Sequence, residues 1–260
     1  MGERSKYEPG TFSWVDLATP DPEAAKRFYG ELFGWEAEDM PTGDDGGVYT
    51  MCRVRGSYVS AIFEQGSDER EQGIPPHWNN YVTVEDVDAT CGQAGEIGGT
   101  VVLEPFDVLQ AGRMAVIQDP TGAFLALWTP REHIGAQRVN EPGCLTWNDL
   151  NTNDPDKALA FYGELFLWTA EKVDSDEVDY YVLRNGQRTN GGVLRMQEEG
   201  IPPHWLPYFA VEDSDATAEK AGELGGETIL PPSNLGPGRI GVLRDPQGAV
   251  FAVYAGELDD

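Results

Sequence analysis

The sequence predicts an α+β protein assembled from four βαβββ units, two in each half of the chain. One observation is a long repeat: WVDLATPDPEAAKRFYGELFGW (Trp14 to Trp35) returns as WNDLNTNDPDKALAFYGELFLW (Trp147 to Trp168), so the chain is an internal duplication. A second is that GIPPHW occurs at Gly73 to Trp78 and again at Gly200 to Trp205, while QDPTGAFLALW is answered by RDPQGAVFAVY. Every part of one half therefore has a counterpart in the other. The third is local: in each half, strand-like alternation gives way to a helical stripe, reverts to strands, and then does so a second time.

Taken in order, FSWVDLA alternates as a strand, with Phe12, Trp14 and Asp16 on one face. Asp21 caps the following helix and Pro22 takes its first position, where proline's missing N–H has no helical partner to lose. Ala25, Phe28, Tyr29, Leu32 and Phe33 recur at helical spacing and form an apolar stripe that must pack on a sheet. Gly34 can end that helix in the left-handed conformation; Leu167 holds the same place in the second half, so that end is expected to close differently. VYTMCRV and YVSAIFE read as strands, and GSDEREQG as the loop to the next unit. The second unit runs from NNYVTV through a weaker helix, Asp86 to Ile97, stopped by Gly98 and Gly99, into the strands VVLEP, RMAVIQ and AFLALW. Asp119, Pro120 and Gly122 make a tight turn between the last two. The linker HIGAQRVNEPG joins the halves, which divides the chain into domains at residues 1–136 and 137–260.

Composition narrows the partners. The chain of 260 residues carries 45 acidic against 18 basic side chains, a net charge of −27, which opposes binding to nucleic-acid phosphates and to anionic lipid surfaces. The acidic excess is shared by both halves, as a solvated surface would require. Cys52, Cys91 and Cys144 are odd in number and widely spaced, which argues against a disulfide framework or a zinc knot. The start MGERSKYEPG lacks the apolar run of a signal peptide, and no later segment is apolar enough to cross a bilayer. A cytoplasmic location is expected, with a small organic molecule as partner, no nucleic acid and no membrane. A homodimer is compatible with this reading.

The helix text DPEAAKRFYGELFGW and the closing DPTG turn, set in paired βαβββ units, resemble the vicinal oxygen chelate superfamily, which includes glyoxalases, bleomycin-resistance proteins and extradiol dioxygenases. The WVDL, GIPPHW and HIGA stretches look like a two-domain actinobacterial subgroup labelled hydroxylase-like or glyoxalase-like. The resemblance implies two tandem domains, each an eight-stranded sheet curled into a cup, with helices outside and the concave face open. It also implies where a metal would be held. The usual first-strand histidine falls on Trp14 and Trp147, the usual last-strand glutamate on Ala126 and Ala252, and the fifth-strand position on Asn79 and Leu206. Tryptophan and alanine are not metal ligands. His77 and His204, two residues before the fifth-strand position, are the remaining metal candidates, and otherwise rim residues held by the proline pair. No metal and no cofactor is expected.

Asp16 and Asp149 follow the inward tryptophans by two residues, so alternation aims both into the cups. A buried carboxylate needs a partner; Arg113 and Arg239, in the matched AGR and PGR stretches, are candidates within the chain, and a ligand or a proton-transfer role is the alternative. Phe12, Trp14, Tyr81, Phe124 and Trp128 in the first half, and Trp147, Tyr208 and Tyr254 in the second, give the same faces an aromatic lining suited to a planar ligand. Together with Asn79 these form the candidate ligand sites. The function expected is metal-free binding of a small aromatic, polyketide-like or cationic molecule, for resistance or natural-product tailoring. The alternatives are a metal-dependent glyoxalase-type lyase or dioxygenase, and a cofactor-free hydroxylase or isomerase with Asp16 or Asp149 as base. Of the two acids, Asp16 is the one expected to matter more.

Overall fold

The computed structural model describes residues 2–42, 47–175, 178–196 and 200–258. The first half contains β1 (Phe12–Thr19), α1 (Pro22–Phe33), β2 (Glu36–Pro41), β3 (Val48–Val54), β4 (Ser57–Glu64), α2 (Ser67–Glu71), β5 (His77–Thr83), α3 (Val87–Glu96), β6 (Thr100–Val108), β7 (Gly112–Gln118) and β8 (Phe124–Pro130). Among the described residues the second repeats that order, save the short α2, as β9 (Leu145–Thr152), α4 (Pro155–Phe166), β10 (Thr169–Lys172), β11 (Tyr180–Asn185), β12 (Arg188–Arg195), β13 (His204–Ala210), α5 (Ser214–Glu223), β14 (Glu227–Leu235), β15 (Gly238–Arg244) and β16 (Val250–Gly256). Each half forms one mixed eight-stranded sheet, in the orders β2-β3-β4-β1-β5-β8-β7-β6 and β10-β11-β12-β9-β13-β16-β15-β14. The opening strands of the two units pair antiparallel at the centre of each sheet, and each pairs parallel with the last strand of its own unit.

Each sheet curls into a cup, and one apolar cluster, running from Met51 on β3 through Trp14, Tyr81 and Trp128 to Met114 on β7, lines the inner face of the first.

The capping signals read from the sequence are present. Asp21 Oδ1 accepts from Ala24 N at 2.9 Å and Asp86 Oδ1 from Ala89 N at 3.0 Å. At the other end of the first helix Gly34 is left-handed, with φ 73°. Leu167 corrects the expectation for its counterpart: it takes the same left-handed conformation at φ 59°, with its side chain 80 % exposed. The expected GSDEREQG loop holds the single turn α2. Strands β2 and β10 are mostly exposed edges without apolar alternation, so they carry little signal in the sequence.

Helices cover the convex side of each sheet, with one face in solvent and the other buried between the two halves. One core joins Val15, Leu17, Phe28 and Tyr29 of the first unit to Phe209, Ala221, Leu243 and Phe251 of the fourth. The other joins Val82, Ile117, Leu125 and Cys91 of the second unit to Leu150, Phe161 and Tyr162 of the third, with Trp205 of the fourth beside them. The helices lie outside the cups as expected, and the other half supplies part of the cover that their apolar stripes need.

The duplicated motifs serve this contact. Asp119 of the DPTG turn accepts from Gly122 N (2.9 Å) and Ala123 N (3.1 Å) through Oδ1, and from Tyr162 Oη of α4 (2.9 Å) through Oδ2. Asp245 of DPQG does the same with Gly248 N, Ala249 N and Tyr29 Oη (3.0 Å). Pro203 lies beside Gly122 and Pro76 beside Gly248, so each GIPPHW stretch packs on the turn of the opposite half. The duplicated proline pair therefore belongs to a duplicated docking contact.

Candidate functional site

The site is built twice, once in each cup. On β1 a register shift between Phe12 and Trp14 resets the alternation. Trp14 and Asp16 point into the first cup, whereas Phe12 is turned to the other side. There its ring lies 4.9 Å from Trp205 and 5.5 Å from Trp168, in the core between the sheets. Phe12 is thus removed from the cup lining. Alternation predicts its face wrongly because a bulge adds one residue.

Asp16 is buried, with 1 % exposure, and three donors reach it. Tyr49 Oη and Tyr81 Oη donate to Oδ2 at 2.7 and 2.8 Å, and Asn79 Nδ2 to Oδ1 at 3.0 Å. Trp14 Nε1 donates to Tyr49 Oη at 3.0 Å and so orients that phenol. The second cup repeats the scheme with changes. Tyr208 Oη donates to Asp149 Oδ2 at 2.6 Å, while Tyr180 Oη (2.8 Å) and Trp147 Nε1 (2.9 Å) share Oδ1. Leu206 stands where the first cup has Asn79, and Gly192 where it has Ala61. A Cβ at Gly192 would overlap Tyr180 Oη and Asp149 Oδ1, so glycine lets the tyrosine close onto the acid. Burial raises the proton affinity of both carboxyls, and the tyrosine, tryptophan and asparagine donors pull it back only in part.

These partners correct the arginine expectation. Arg113 pairs with Asp88 and Asp107, and Arg239 with Asp215, all outside the cups. Tyr49 and Tyr180 went unassigned in the sequence, although both occupy matched places in the repeat. Only the order of strands brings them beside the acids.

The predicted aromatic residues are otherwise on the cup faces. Trp14, Tyr81 and Trp128 join one cluster, and Trp147, Tyr208 and Tyr254 the other. Phe124, at the start of β8, is 52 % exposed at the margin. His77 and His204 open β5 and β13, with Nδ1 3.0 Å from Pro75 O and 2.9 Å from Pro202 O.

The two cups differ in what covers them. After β8 the chain turns back over the first cup: Ala136 N donates to Ser13 O at 2.7 Å, and Trp128 Nε1 to His133 O at 2.9 Å. The His133 ring stands edge-on to Trp14, centroids 4.5 Å apart, and 5.9 Å from the Trp128 ring. Its Nε2 is buried without a hydrogen-bond partner, and burial lowers its pKa to about 4, so the imidazole is neutral. The first concave face is accordingly not open as expected: Trp14 and Trp128 are 3 % and 5 % exposed. Trp147, Tyr180 and Tyr254 in the second cup are partly exposed.

Among the described residues, no three His, Cys, Asp or Glu side chains come together. At the positions where the fold relatives would hold a metal, the cups present the indoles Trp14 and Trp147 and the buried methyls Ala126 and Ala252. Each nearby carboxylate is already engaged by three donors. This donor set does not suit a metal ion.

Paired βαβββ units in a mixed eight-stranded sheet are an architecture this chain shares with its relatives. Residues 11–127 match the Glyoxalase/Bleomycin resistance protein/Dioxygenase superfamily, and residues 147–254 match a glyoxalase-like domain family. The chain belongs to the glyoxalase/bleomycin resistance/dioxygenase superfamily. It is 46% identical to "Putative glyoxylase CFP32" of Mycobacterium tuberculosis over 97% of both chains. To the anthracycline biosynthesis protein DnrV of Streptomyces peucetius it is 34% identical, over 96% of this chain and 94% of that one. Among solved structures, the Mn(II)-bound glyoxalase from Novosphingobium aromaticivorans superposes with a TM-score of 0.69 at 16% identity, covering 100% of this chain and 85% of that one. The 2,3-dioxygenase LapB from Pseudomonas sp. KL28 gives 0.67 at 15%, over 98% and 96%. At these identities the structural matches speak for the fold. No helix among the described residues is long and apolar enough to cross a membrane.

Proposed function

We propose that the protein binds a flat, aromatic, polyketide-like molecule in the cup of its second half without a metal ion, in natural-product tailoring or resistance. The observation that carries this is the difference between two homologous cups: Trp147 and Tyr254 stay partly exposed in the second, while their counterparts Trp14 and Trp128 are buried in the first. Exposed aromatic side chains on a concave face offer a fused ring system apolar area and ring contacts. The likeness to an anthracycline biosynthesis protein supports a ligand of that shape, since anthracyclines carry fused aromatic rings. Both acids are saturated by neutral donors, which weakens the case for a cationic ligand.

A cofactor-free proton transfer is the second reading, favoured by the raised proton affinity of Asp149 beside two phenols. A metal-dependent lyase or dioxygenase would need donors where this chain has tryptophan and alanine. Titration with an anthracycline aglycone, followed by tryptophan fluorescence with and without EDTA, tests the proposal. Saturable binding indifferent to EDTA and weakened roughly tenfold by Trp147→Leu, about 1.4 kcal/mol, is expected. Binding abolished by EDTA, or none at all, would overturn it. Turnover lost in Asp149→Asn would select the second reading.

A further inference from the structure

Matching rungs of the two sheets differ at one polar side chain. In the first sheet the rung beyond Asp16 runs Tyr49, Phe63, Ala18, His77; in the second the same rung, beyond Asp149, runs Tyr180, Leu194, Asn151, His204. Asn151 follows Asp149 by two residues with no register shift between them, so it stands on the cup face with Asp149 and Trp147. The amide of the first cup is Asn79, whose Nδ2 donates to Asp16 Oδ1 at 3.0 Å. Leu206 replaces it in the second half, and an amide reappears one rung further along β9, as Asn151, level with His204 at the start of β13. Among the described residues none accepts from it. Asn151 is only 8 % exposed, and its Nδ2 is buried with no hydrogen-bond partner. Its neighbours on the rung are turned elsewhere: His204 Nδ1 lies 2.9 Å from Pro202 O, and Tyr180 Oη donates to Asp149 at 2.8 Å.

A buried N–H without an acceptor is destabilising, and the first half shows that the fold fills this place without one, since alanine stands there. We infer that Asn151 is a ligand-binding residue whose amide donates to a carbonyl oxygen on the ring system held in the second cup, so that the cup selects flat aryl ketones and quinones over hydrocarbon rings. This rests on the reading of the second cup as the binding surface, and adds the group of the ligand that is recognised and the side chain that recognises it. An amide N–H2 can only donate, so its partner is an acceptor. The net charge of −27 opposes an anionic acceptor, which leaves a neutral carbonyl. Nδ2 lies beneath the surface, and χ2 of asparagine is a broad torsion, so the amide turns toward the cup without movement of the backbone.

The probes are indanone and indane, flat bicycles that differ in one carbonyl, titrated into the full-length protein and followed by nitrogen–proton correlation spectra. Indanone is expected to shift the side-chain N–H pair of Asn151, identified by its loss in Asn151→Ala, saturably and together with the Trp147 indole. Asn151→Ala should weaken indanone about tenfold and indane less than about twofold. Asn151→Asp keeps the shape and removes the donor, and should weaken indanone at least as much. Because Asn151→Ala breaks no hydrogen bond of Nδ2 within the protein, its Tm should stay within a few degrees of the unsubstituted protein or rise. A Tm lowered further than that would mark the amide as structural and overturn the inference. Equal losses of the two probes, an unchanged affinity for indanone, an Asn151 signal that stays in place while indanone binds, or no binding of indanone at all would overturn it too. Indanone bound in the expected pattern without anthracycline binding would sink only the polyketide reading. An anthracycline aglycone bound equally well by the unsubstituted protein and by Asn151→Ala would sink only this inference.

Discussion

At the scale of single residues, each cup is organised around a carboxylate that burial disfavours and three donors retain. The two tendencies have separate consequences. Because burial raises the proton affinity of Asp16 and Asp149, the folded chain holds those protons more tightly than the unfolded chain, whose carboxyls titrate near about 3.9. Their contribution to stability therefore increases as pH falls from neutral through the raised values, and levels off below the unfolded value. Asp16→Asn and Asp149→Asn should each remove part of that dependence. Urea unfolding of variant and parent between pH 7.5 and 4.5 would give converging curves on acidification; parallel curves would show that the carboxyls titrate normally. Loss of a donor acts in the other direction. Tyr208→Phe leaves Asp149 without its 2.6 Å contact and should cost about 1.5–3 kcal/mol of stability at neutral pH, measured by the same unfolding experiment.

Among the elements, the first helices of the two halves compare one closure made with two residues. Gly34 and Leu167 both end their helix in the left-handed region, which costs a side-chain-bearing residue about 1–2 kcal/mol and glycine nearly nothing. Glycine regains some of that difference in the unfolded state, where it is freer by about 0.4–1 kcal/mol. Since the Leu167 side chain is 80 % exposed and little packing is lost with it, Leu167→Gly should stabilise the protein by roughly 0.5–1 kcal/mol, read as a rise in the urea midpoint at constant slope. A fall in the midpoint would mean that the leucine packs in a way its exposure conceals. Bulges act at the same scale: shifts on β1 and β9 turn Phe12 and Leu145 into the inter-sheet cores and leave Trp14 and Trp147 in the cups.

The whole molecule is held by reciprocal exchange between its halves. The phenols of Tyr29 and Tyr162 cap the turn carboxylates of Asp245 and Asp119 across the midline, and both large cores draw on both sheets. A fragment of residues 1–136 alone would expose Phe28, Tyr29, Val82 and Leu125. It should be unfolded or self-associated, whereas co-expression with residues 137–260 should yield a one-to-one complex. Sedimentation and circular dichroism of each fragment provide the check; a monomeric half that unfolds cooperatively would refute this account of the core. The intact chain should unfold in a single transition for the same reason.

Much of this protein is legible without coordinates, and the reason is local. Strand alternation, the Asp–Pro helix starts, the glycine stops and the tandem text depend on neighbours a few residues apart, so the sequence by itself determined the repeated units, the superfamily and the inward aim of Trp14, Asp16, Trp147 and Asp149. Tertiary structure decided what distant segments do to one another. Pairing across β3, β4 and β1 carries Tyr49 to Asp16, and a Gly192 that leaves no room for a Cβ carries Tyr180 onto Asp149. The loop after β8 brings His133 against Trp14, which lies 119 residues earlier in the chain, and makes two similar cups unlike. Alternation and periodicity specify the face on which a side chain stands; which other segment meets that face depends on sheet order, bulges and the burial of one half against the other.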